Sequence, residues 1–202
     1  MMISPLQAKL LHQLVCIFKP CRVLEIGGFT GYSAIAMGSA LSLSSPNAKL
    51  ISLESNIEHI RLASCYVQKA KLSSVISFIA GSAEDSIEKL HEMQRGKHEM
   101  FDFIFLDANK NAYTNYFDLI MRYDLLSDNG IMIVDNVLHW GQVHKEAGYE
   151  EAANRQKISK NVRKVASKVH KFNKHVKEDP RVDVVILPLF DGLSIIRKKH
   201  VS

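Results

Sequence analysis

Three apolar segments of the sequence each end in glycine or acidic residues. They are VLEIGGFTGYS at 23–33, FDFIFLDANK at 101–110 and GIMIVDNV at 130–137. Each segment predicts a buried strand, and the carboxyl ends of parallel strands meet at one edge of a sheet. We therefore expect a glycine-rich loop that can hold a nucleotide-like cofactor, with carboxylates beside it that can bind a metal ion.

The first segment predicts a cofactor-binding turn. Gly27 and Gly28 follow a strand and precede a helix, where glycine permits a tight turn and close approach of a ligand to the backbone. Glu54 ends the next predicted strand and can accept hydrogen bonds from both hydroxyls of a ribose. Glu25 would repel a pyrophosphate but can bind the ammonium group of S-adenosylmethionine. These charges favour the methyl donor over a dinucleotide, whereas the glycines alone would also suit a plain strand-to-helix turn.

The second and third segments predict a metal site with a base beside it. Asp107 ends one strand, and Asp135 and Asn136 end the next. Three oxygen ligands without cysteine or histidine suit a hard divalent cation such as Mg²⁺. Lys110, three residues after Asp107, can reach a hydroxyl group bound there and accept its proton. Each residue alone would also suit a loop cap or a solvated side chain, so the prediction depends on the whole set.

The elements that must position these residues alternate along the chain. Ser4 and Pro5 begin a capped amphipathic helix. Strands are predicted over 22–26, 49–53, 75–79, 101–106 and 130–134, and helices over about 31–43, 56–71, 83–93 and 112–125. Segments 182–187 and 193–198 predict an antiparallel pair that closes the sheet. The sequence thus predicts an α/β fold with a seven-stranded, mostly parallel sheet, an antiparallel C-terminal strand and helices on both faces.

The composition is that of an ordinary globular domain. The 202 residues are 47% hydrophobic and 23% charged, which predicts one domain over 1–202. No run approaches the roughly 20 apolar residues of a membrane helix, and the first residues lack a leader pattern, so we expect a cytoplasmic protein without a membrane partner. Cys16, Cys21 and Cys65 have no repeated spacing, which predicts reduced and mostly buried thiols.

These motifs together give the chain a family resemblance. It resembles the metal-dependent class I O-methyltransferases, the group that contains catechol O-methyltransferase and the caffeoyl-CoA O-methyltransferases. The resemblance also includes LISLE at 50–54, GSAED at 81–85, AYTNYF at 112–117 and DPRVDVVILPLFDGLSIIRKK at 179–199, and so spans nearly the whole chain. It implies a Rossmann-like methyltransferase fold, S-adenosylmethionine and a divalent cation as cofactors, and a homodimer.

The resemblance also implies a role for each site residue. The residues expected to contact S-adenosylmethionine are Glu25, Gly27, Gly28, Ser33, Glu54, Ala83, Asp107 and Tyr116. Asp107, Asp135 and Asn136 would bind the metal, and Lys110 would be the general base. In such a site two adjacent acceptor oxygens chelate the cation, which lowers the pKa of one hydroxyl and holds it in line with the sulfonium methyl.

Three departures from the family pattern concern the acceptor. Family members commonly have an N-terminal helix ahead of the segment SPLQAKLL at 4–11 that helps to close the acceptor pocket, so here we expect a pocket that is open or covered by a partner subunit. Asn109 stands where plant-type members have aspartate, and His139 and Trp140 displace the aromatic residue of the common VLWxG motif by one position. These departures argue against a plant phenylpropanoid acceptor.

A basic segment near the C-terminus leaves a second acceptor open. A helix is predicted over about 153–177, with an apolar stripe of Ile158, Val162, Val165, Val169, Phe172 and Val176. The opposite face has Lys157, Lys160, Lys164, Lys168 and Lys171. This face is either a solvated surface or a phosphate-binding surface. Some bacterial members of the family methylate 5-hydroxyuridine of tRNA, so tRNA bound through this helix is the alternative acceptor.

Three hypotheses follow from the sequence. The first is a metal-dependent O-methyltransferase that acts on a small catechol-like acceptor, a vicinal diol. The second keeps this chemistry and takes tRNA as the acceptor. The third is a cofactor-binding protein without turnover, which would not need Lys110 together with all three metal ligands.

Overall fold

The computed structural model describes residues 2–44, 47–94, 99–149 and 159–199. Within these ranges the strands are β1 (Arg22–Ile26), β2 (Lys49–Glu54), β3 (Ile76–Ala80), β4 (Phe101–Leu106), β5 (Leu126–Asp135), β6 (Val182–Leu187) and β7 (Leu193–Lys198). They form one sheet in the order β3-β2-β1-β4-β5-β7-β6, in which β7 runs antiparallel to both of its neighbours and the other pairs are parallel. This confirms the predicted seven-stranded, mostly parallel sheet.

Seven α-helices accompany the sheet in the described residues. They are α1 (Pro5–Phe18), α2 (Tyr32–Ser44), α3 (Ile57–Lys69), α4 (Ala83–Gln94), α5 (Tyr113–Arg122), α6 (Val143–Glu146) and α7 (Lys160–Glu178). Side chains cap four of them, because Ser4, Asn56, Ser82 and Ser159 each accept a hydrogen bond from a backbone amide of the first turn. None of the described helices is long and apolar enough to cross a membrane.

The helices bury apolar residues on both faces of the sheet. On one face α1 and α2 contribute buried side chains such as Leu11 and Met37 to a core with Phe103 and Phe105. On the other face α4, α5 and α7 pack over residues of β4 and β5, with Phe117 at the centre. The alternation of strands and helices therefore produces the two packed layers that the sequence predicts.

Several predicted boundaries differ from the structure. The helix expected over 112–125 begins as a 3-10 turn at Lys110–Ala112 and ends at Arg122, before Asp124 takes a left-handed φ of 52°. The strand expected over 130–134 already begins at Leu126. The helix expected over 153–177 is α7 in the described part of the chain, and Lys157 and Ile158 lie outside the described residues.

The prediction of mostly buried thiols is wrong. All three cysteines are free, but Cys21 and Cys65 are exposed and Cys16 is only partly buried. Cys21 directly precedes β1, and Cys65 lies on α3, whose buried residues are Ala63 and Val67. A cysteine follows no periodic pattern of its own, so its exposure depends on which face of an element it occupies.

The order of the strands is what positions the site. β1 lies between β2 and β4, and β5 is the next strand after β4. The carboxyl ends of these four strands are therefore adjacent, and they hold Glu25, Glu54, Asp107 and Asp135.

We expect Phe172→Ala to lower the free energy of unfolding by about 3 to 5 kcal/mol, the usual effect of a large cavity in a core. Phe172 is 1% exposed, and its ring contacts those of Tyr113 and Phe117 edge-on at centroid distances of 5.5 and 6.4 Å. Denaturant unfolding measures the loss. Lys171→Ala, at the exposed neighbouring position, is the control and should change stability by less than about 0.5 kcal/mol. Equal effects of the two variants would contradict this account of how α7 is anchored.

Candidate active site

A cavity of about 410 Å³ lies along the carboxyl ends of the strands. Segments that follow β1, β2, β3 and β4 line it, together with Met2 and Ile3. Eight of the predicted site residues are among its lining residues: Gly27, Gly28, Ser33, Glu54, Ala83, Asp107, Lys110 and Tyr116. Glu25, Asp135 and Asn136 do not line it, and their exposures are 0, 3 and 8%.

The turn after β1 requires glycine because other parts of the chain approach it closely. Gly27 has a φ of 101°, and a side chain there would clash with the carbonyl oxygen of Asp107. A side chain at Gly28 would clash with the hydroxyl of Ser52. The amides of both glycines donate to the carbonyl of Leu53, at 2.9 and 3.1 Å. The turn therefore packs tightly against Asp107 after β4 and against Ser52 of β2, while its own amides hold β2 in place.

Glu25 is a fully buried carboxylate with one unpaired oxygen. The hydroxyl of Ser52 donates to its Oε2, whereas Oε1 has no hydrogen-bond partner among the described residues. Burial raises the pKa of Glu25 to about 7, the hydroxyls of Ser33 and Ser52 oppose this rise, and the charges of Asp107 and Glu54 add to it. An unpaired buried oxygen of this kind fits a cationic ligand group such as an ammonium.

Glu54 is held rigidly at the end of β2. Its Oε2 accepts from the amide of Phe29 and its Oε1 from the amide of Asn56, both at 2.8 Å. The Nδ1 atom of His59 lies 3.5 Å from Oε1, and the ring of His59 contacts that of Phe29 edge-on. The carboxylate is thus fixed in orientation while it faces the cavity, as a residue that binds ribose hydroxyls requires.

Asp107 and Lys110 form an ion pair at the end of β4. Their Oδ1 and Nζ atoms are 2.6 Å apart. Burial raises the pKa of Asp107, and the Lys110 ammonium opposes this rise. Asn109 caps the 3-10 turn that begins at Lys110, since its Oδ1 accepts from the amide of Asn111 at 3.2 Å. The residue that departs from the plant-type pattern therefore has a local structural role.

Asp135 and Asn136 follow β5. Burial is the main cause that raises the pKa of Asp135 to about 6, and the charge of Asp107 adds to this rise. The Gln7 side chain and the Asn136 amide oppose the rise. Two carboxylates that repel each other, with a carboxamide beside them, are an oxygen donor set that fits Mg²⁺. The described residues contain no group of three or more His, Cys, Asp or Glu side chains placed to hold a metal, so a metal site here would depend on Asn136 as well.

The structure also shows roles for Asp191 and Ser52 that the sequence did not predict, and it places His139, which the sequence singled out only as a departure from the family pattern. Asp191 accepts hydrogen bonds from the Asn136 carboxamide and from the Trp140 amide. His139 is buried, neither of its ring nitrogens has a partner among the described residues, and burial lowers its pKa. Ser52 stands opposite Glu25 in the β1–β2 register, and this pairing could have been found by aligning the two predicted strands. The motif DG at 191–192 offered the only signal for Asp191.

The fold and the cavity define a class of protein. A Rossmann-like sheet with an acidic residue near the carboxyl end of each of its first two strands, and a cavity across these ends, is the arrangement of class I S-adenosylmethionine-dependent methyltransferases. The sequence model described as O-methyltransferase matches residues 1–199. This chain belongs to that O-methyltransferase family.

Individual relatives agree with this assignment. The chain is 32% identical over 199 residues to O-methyltransferase ankF of Aspergillus thermomutatus, a match that covers 98% of this chain and 80% of the relative. It is 31% identical to the caffeoyl-CoA O-methyltransferase of Eucalyptus gunnii, with 97% and 73% covered. The crystal structure of the SAH-bound methyltransferase PaMTH1 of Podospora anserina superposes with a TM-score of 0.86 at 32% identity, with 98% and 80% covered.

The comparisons decide between some of the hypotheses. The chain is an S-adenosylmethionine-dependent O-methyltransferase of the caffeoyl-CoA type, so the hypothesis of a binding protein without turnover is dropped. They give no support to tRNA as the acceptor. The cation, the homodimer and the cytoplasmic location stay predictions.

The pKa of Glu25 predicts a specific pH dependence of stability. Because folding raises this pKa from 4.5 to about 7, the contribution of Glu25 to stability is complete below pH 4.5 and is lost as the pH rises through 7. Between pH 5 and pH 8 the loss should be on the order of 2 kcal/mol relative to Glu25→Gln, which has no such titration. Denaturant unfolding of the cofactor-free protein at both values measures it. The other titrating groups cancel in the comparison, and parallel pH profiles of the two proteins would refute the assignment.

Proposed function

We propose that this enzyme transfers the methyl group of S-adenosylmethionine to one hydroxyl of a small catechol-like acceptor, with a divalent cation such as Mg²⁺ at the site. The observation that carries the proposal is the ion pair of Lys110 with Asp107 at the wall of the cavity, close enough to the buried carboxylate of Asp135 for the charge of Asp107 to act on it. The Nζ of Lys110 lies 2.6 Å from Asp107, whose charge also raises the pKa of Asp135. This set combines a proton acceptor with oxygen ligands.

The proposed cofactor contacts follow from the chemistry of the lining residues. The unpaired Oε1 of Glu25 would accept from the ammonium group of the methionine part, and Glu54 would accept from the ribose hydroxyls. Gly27 and Gly28 line the cavity without side chains of their own. Ser33, Ala83 and Tyr116 form other parts of the wall, and Tyr116 is 5% exposed.

The proposed metal ligands are Asp107, Asp135 and Asn136. All three offer oxygen atoms, and the mutual repulsion of the two carboxylates favours a cation between them. A divalent cation at this position would supply Lewis acidity and lower the pKa of the acceptor hydroxyl. The ion pair of Lys110 with Asp107 keeps that carboxylate in place beside the cavity.

Lys110, as the neutral amine formed when its ammonium loses a proton to solvent, would accept the proton of the acceptor hydroxyl. Among the described residues that line the cavity it is the only lysine or arginine. Lys110 begins the 3-10 turn that Asn109 caps. This turn fixes the backbone of Lys110, which lies three residues after Asp107 in the chain. The methyl group would then pass from sulfur to the acceptor oxygen by direct displacement.

The alternative acceptor, tRNA, depends on the charge of α7. Lys160, Lys164, Lys168 and Lys171 are all exposed, and Phe172 and Val176 are buried on the other side of the helix. The described part of the helix thus has the basic face that the sequence predicts. Such a face is equally expected of a surface helix that contacts only solvent. A tRNA arm in the acceptor assay tests it directly.

The acceptor and the cation can be tested in one experiment. Labelled S-adenosylmethionine is incubated with a catechol or with bulk unmethylated tRNA, each with Mg²⁺ and with a chelator. We expect label on the catechol that depends on Mg²⁺. Asp135→Asn should lose the Mg²⁺-supported turnover, because it removes one charged ligand, and should keep its affinity for S-adenosylmethionine in calorimetry.

Each unexpected result of this assay is informative. Full activity in chelator would refute the metal dependence. If only the tRNA is labelled, and if its salt-sensitive binding is lost when the lysines of α7 are reversed in charge, then tRNA replaces the small molecule as the proposed acceptor.

The base can be tested separately with Lys110→Arg. Arginine keeps a positive charge beside Asp107 but cannot accept a proton near neutral pH. We expect turnover to fall by about 10² to 10⁴, the usual contribution of a general base, while the affinity for S-adenosylmethionine changes little. Lys89→Arg, on the exposed side of α4, is the matched control. Turnover of Lys110→Arg near the wild-type rate would exclude this residue as the base.

A further inference from the structure

The loop 136–141, which follows β5, has an unfavourable backbone. Asn136, His139 and Trp140 all have left-handed conformations, with φ values of 58, 39 and 58°. Residues other than glycine adopt this region rarely and remain in it only where other contacts fix them. The loop contains the proposed metal ligand Asn136, so whatever fixes the loop also fixes that ligand.

Four hydrogen bonds to residues 191–192 hold this loop. The Asp191 carboxylate accepts from the Trp140 amide at 2.6 Å and from the Asn136 Nδ2 atom at 3.3 Å. The carbonyl of Asp191 accepts from the amide of Leu138, and that of Gly192 accepts from the amide of Val137, at 2.9 and 3.1 Å. The first two hydrogen bonds each use one of the two carboxylate oxygens of Asp191. The other two hydrogen bonds use only backbone atoms.

The carboxylate of Asp191 also decides which way the Asn136 carboxamide is turned. A carboxylate accepts hydrogen bonds and cannot donate, so the NH₂ group of Asn136 must face it. The carboxamide oxygen is therefore the atom turned away from Asp191. That oxygen is the only atom of the side chain that can bind a hard cation.

We propose that Asp191 is a positioning residue for the divalent cation, because its carboxylate presets the Asn136 carboxamide oxygen and the loop 136–141 before the cation binds. This inference rests on the proposed metal dependence. Residues that orient a metal ligand from behind commonly change metal affinity by about 10- to 100-fold when they are altered.

The test measures the affinity of the cofactor-free protein for Mn²⁺ by electron paramagnetic resonance. Asp191→Asn keeps the shape of the side chain but has one accepting oxygen for two donors, so one donor is left facing an NH₂ group. We expect it to bind Mn²⁺ at least about tenfold more weakly than wild type. The control is Asp183→Asn, which alters an exposed carboxylate of β6 that pairs with Arg197 and should leave the affinity unchanged.

A double-mutant cycle separates positioning from a general structural role. If Asp191 acts through Asn136, then Asp191→Asn should cause no further loss of Mn²⁺ affinity in the Asn136→Ala background. The swap Asn136→Asp with Asp191→Asn should recover the affinity that Asp191→Asn loses. In the swap, residue 191 donates to the new carboxylate and still accepts from the Trp140 amide, so every hydrogen bond has a partner.

The outcomes distinguish this inference from the function on which it rests. If wild type binds no Mn²⁺ and is fully active in chelator, the proposed metal dependence fails. If wild type binds Mn²⁺ but Asp191→Asn binds it equally well, or the two losses are additive, the positioning role of Asp191 is overturned. If Asp191→Asn does not fold, the swap is compared with wild type, and a loss beyond about tenfold overturns the inference.

Discussion

The close approach of the β1 turn to the start of the β4 loop is the constraint on which the site depends. Gly27 lies against the carbonyl of Asp107, and the Asp107 amide donates to the carbonyl of Ile26 at 3.0 Å. The amides of Gly27 and Gly28 tie the same turn to Leu53 on the other side. Gly27 and Gly28, which have no side chains, thus join three strands, so that the cavity and the proposed metal ligand Asp107 are placed by the same contacts.

Negative charge is concentrated at this edge of the sheet, and each carboxylate is stabilised differently. Serine hydroxyls support Glu25, backbone amides support Glu54, and the Lys110 ammonium supports Asp107. Burial and the remaining repulsion still raise the pKa of Glu25 and of Asp135. Such an edge attracts cationic ligands, which is consistent with a sulfonium methyl donor and with the proposed divalent cation.

The loop 136–141 is supported from two sides. Residues 191–192, which directly precede β7, hold it on one side, and on the other the Asn173 Nδ2 of α7 donates to the carbonyl of Val137 at 2.8 Å. Because α7 is itself anchored in the core by Phe172, the loop is attached to the hydrophobic packing of one whole face of the sheet. A basic surface helix therefore contributes to the active site through the residues on its buried side.

The sequence by itself determined the strands and most helices, the cofactor turn and the set of Asp107, Lys110, Asp135 and Asn136, because these follow from local periodicity and short motifs. The tertiary structure alone decided that Asp191 holds Asn136, a contact that spans 55 residues of chain. It also decided that Glu25 and Asp135 are buried. Local patterns specify which residues form a strand, but the register between strands and the insertion of β7 beside β5 result from packing across the whole sheet.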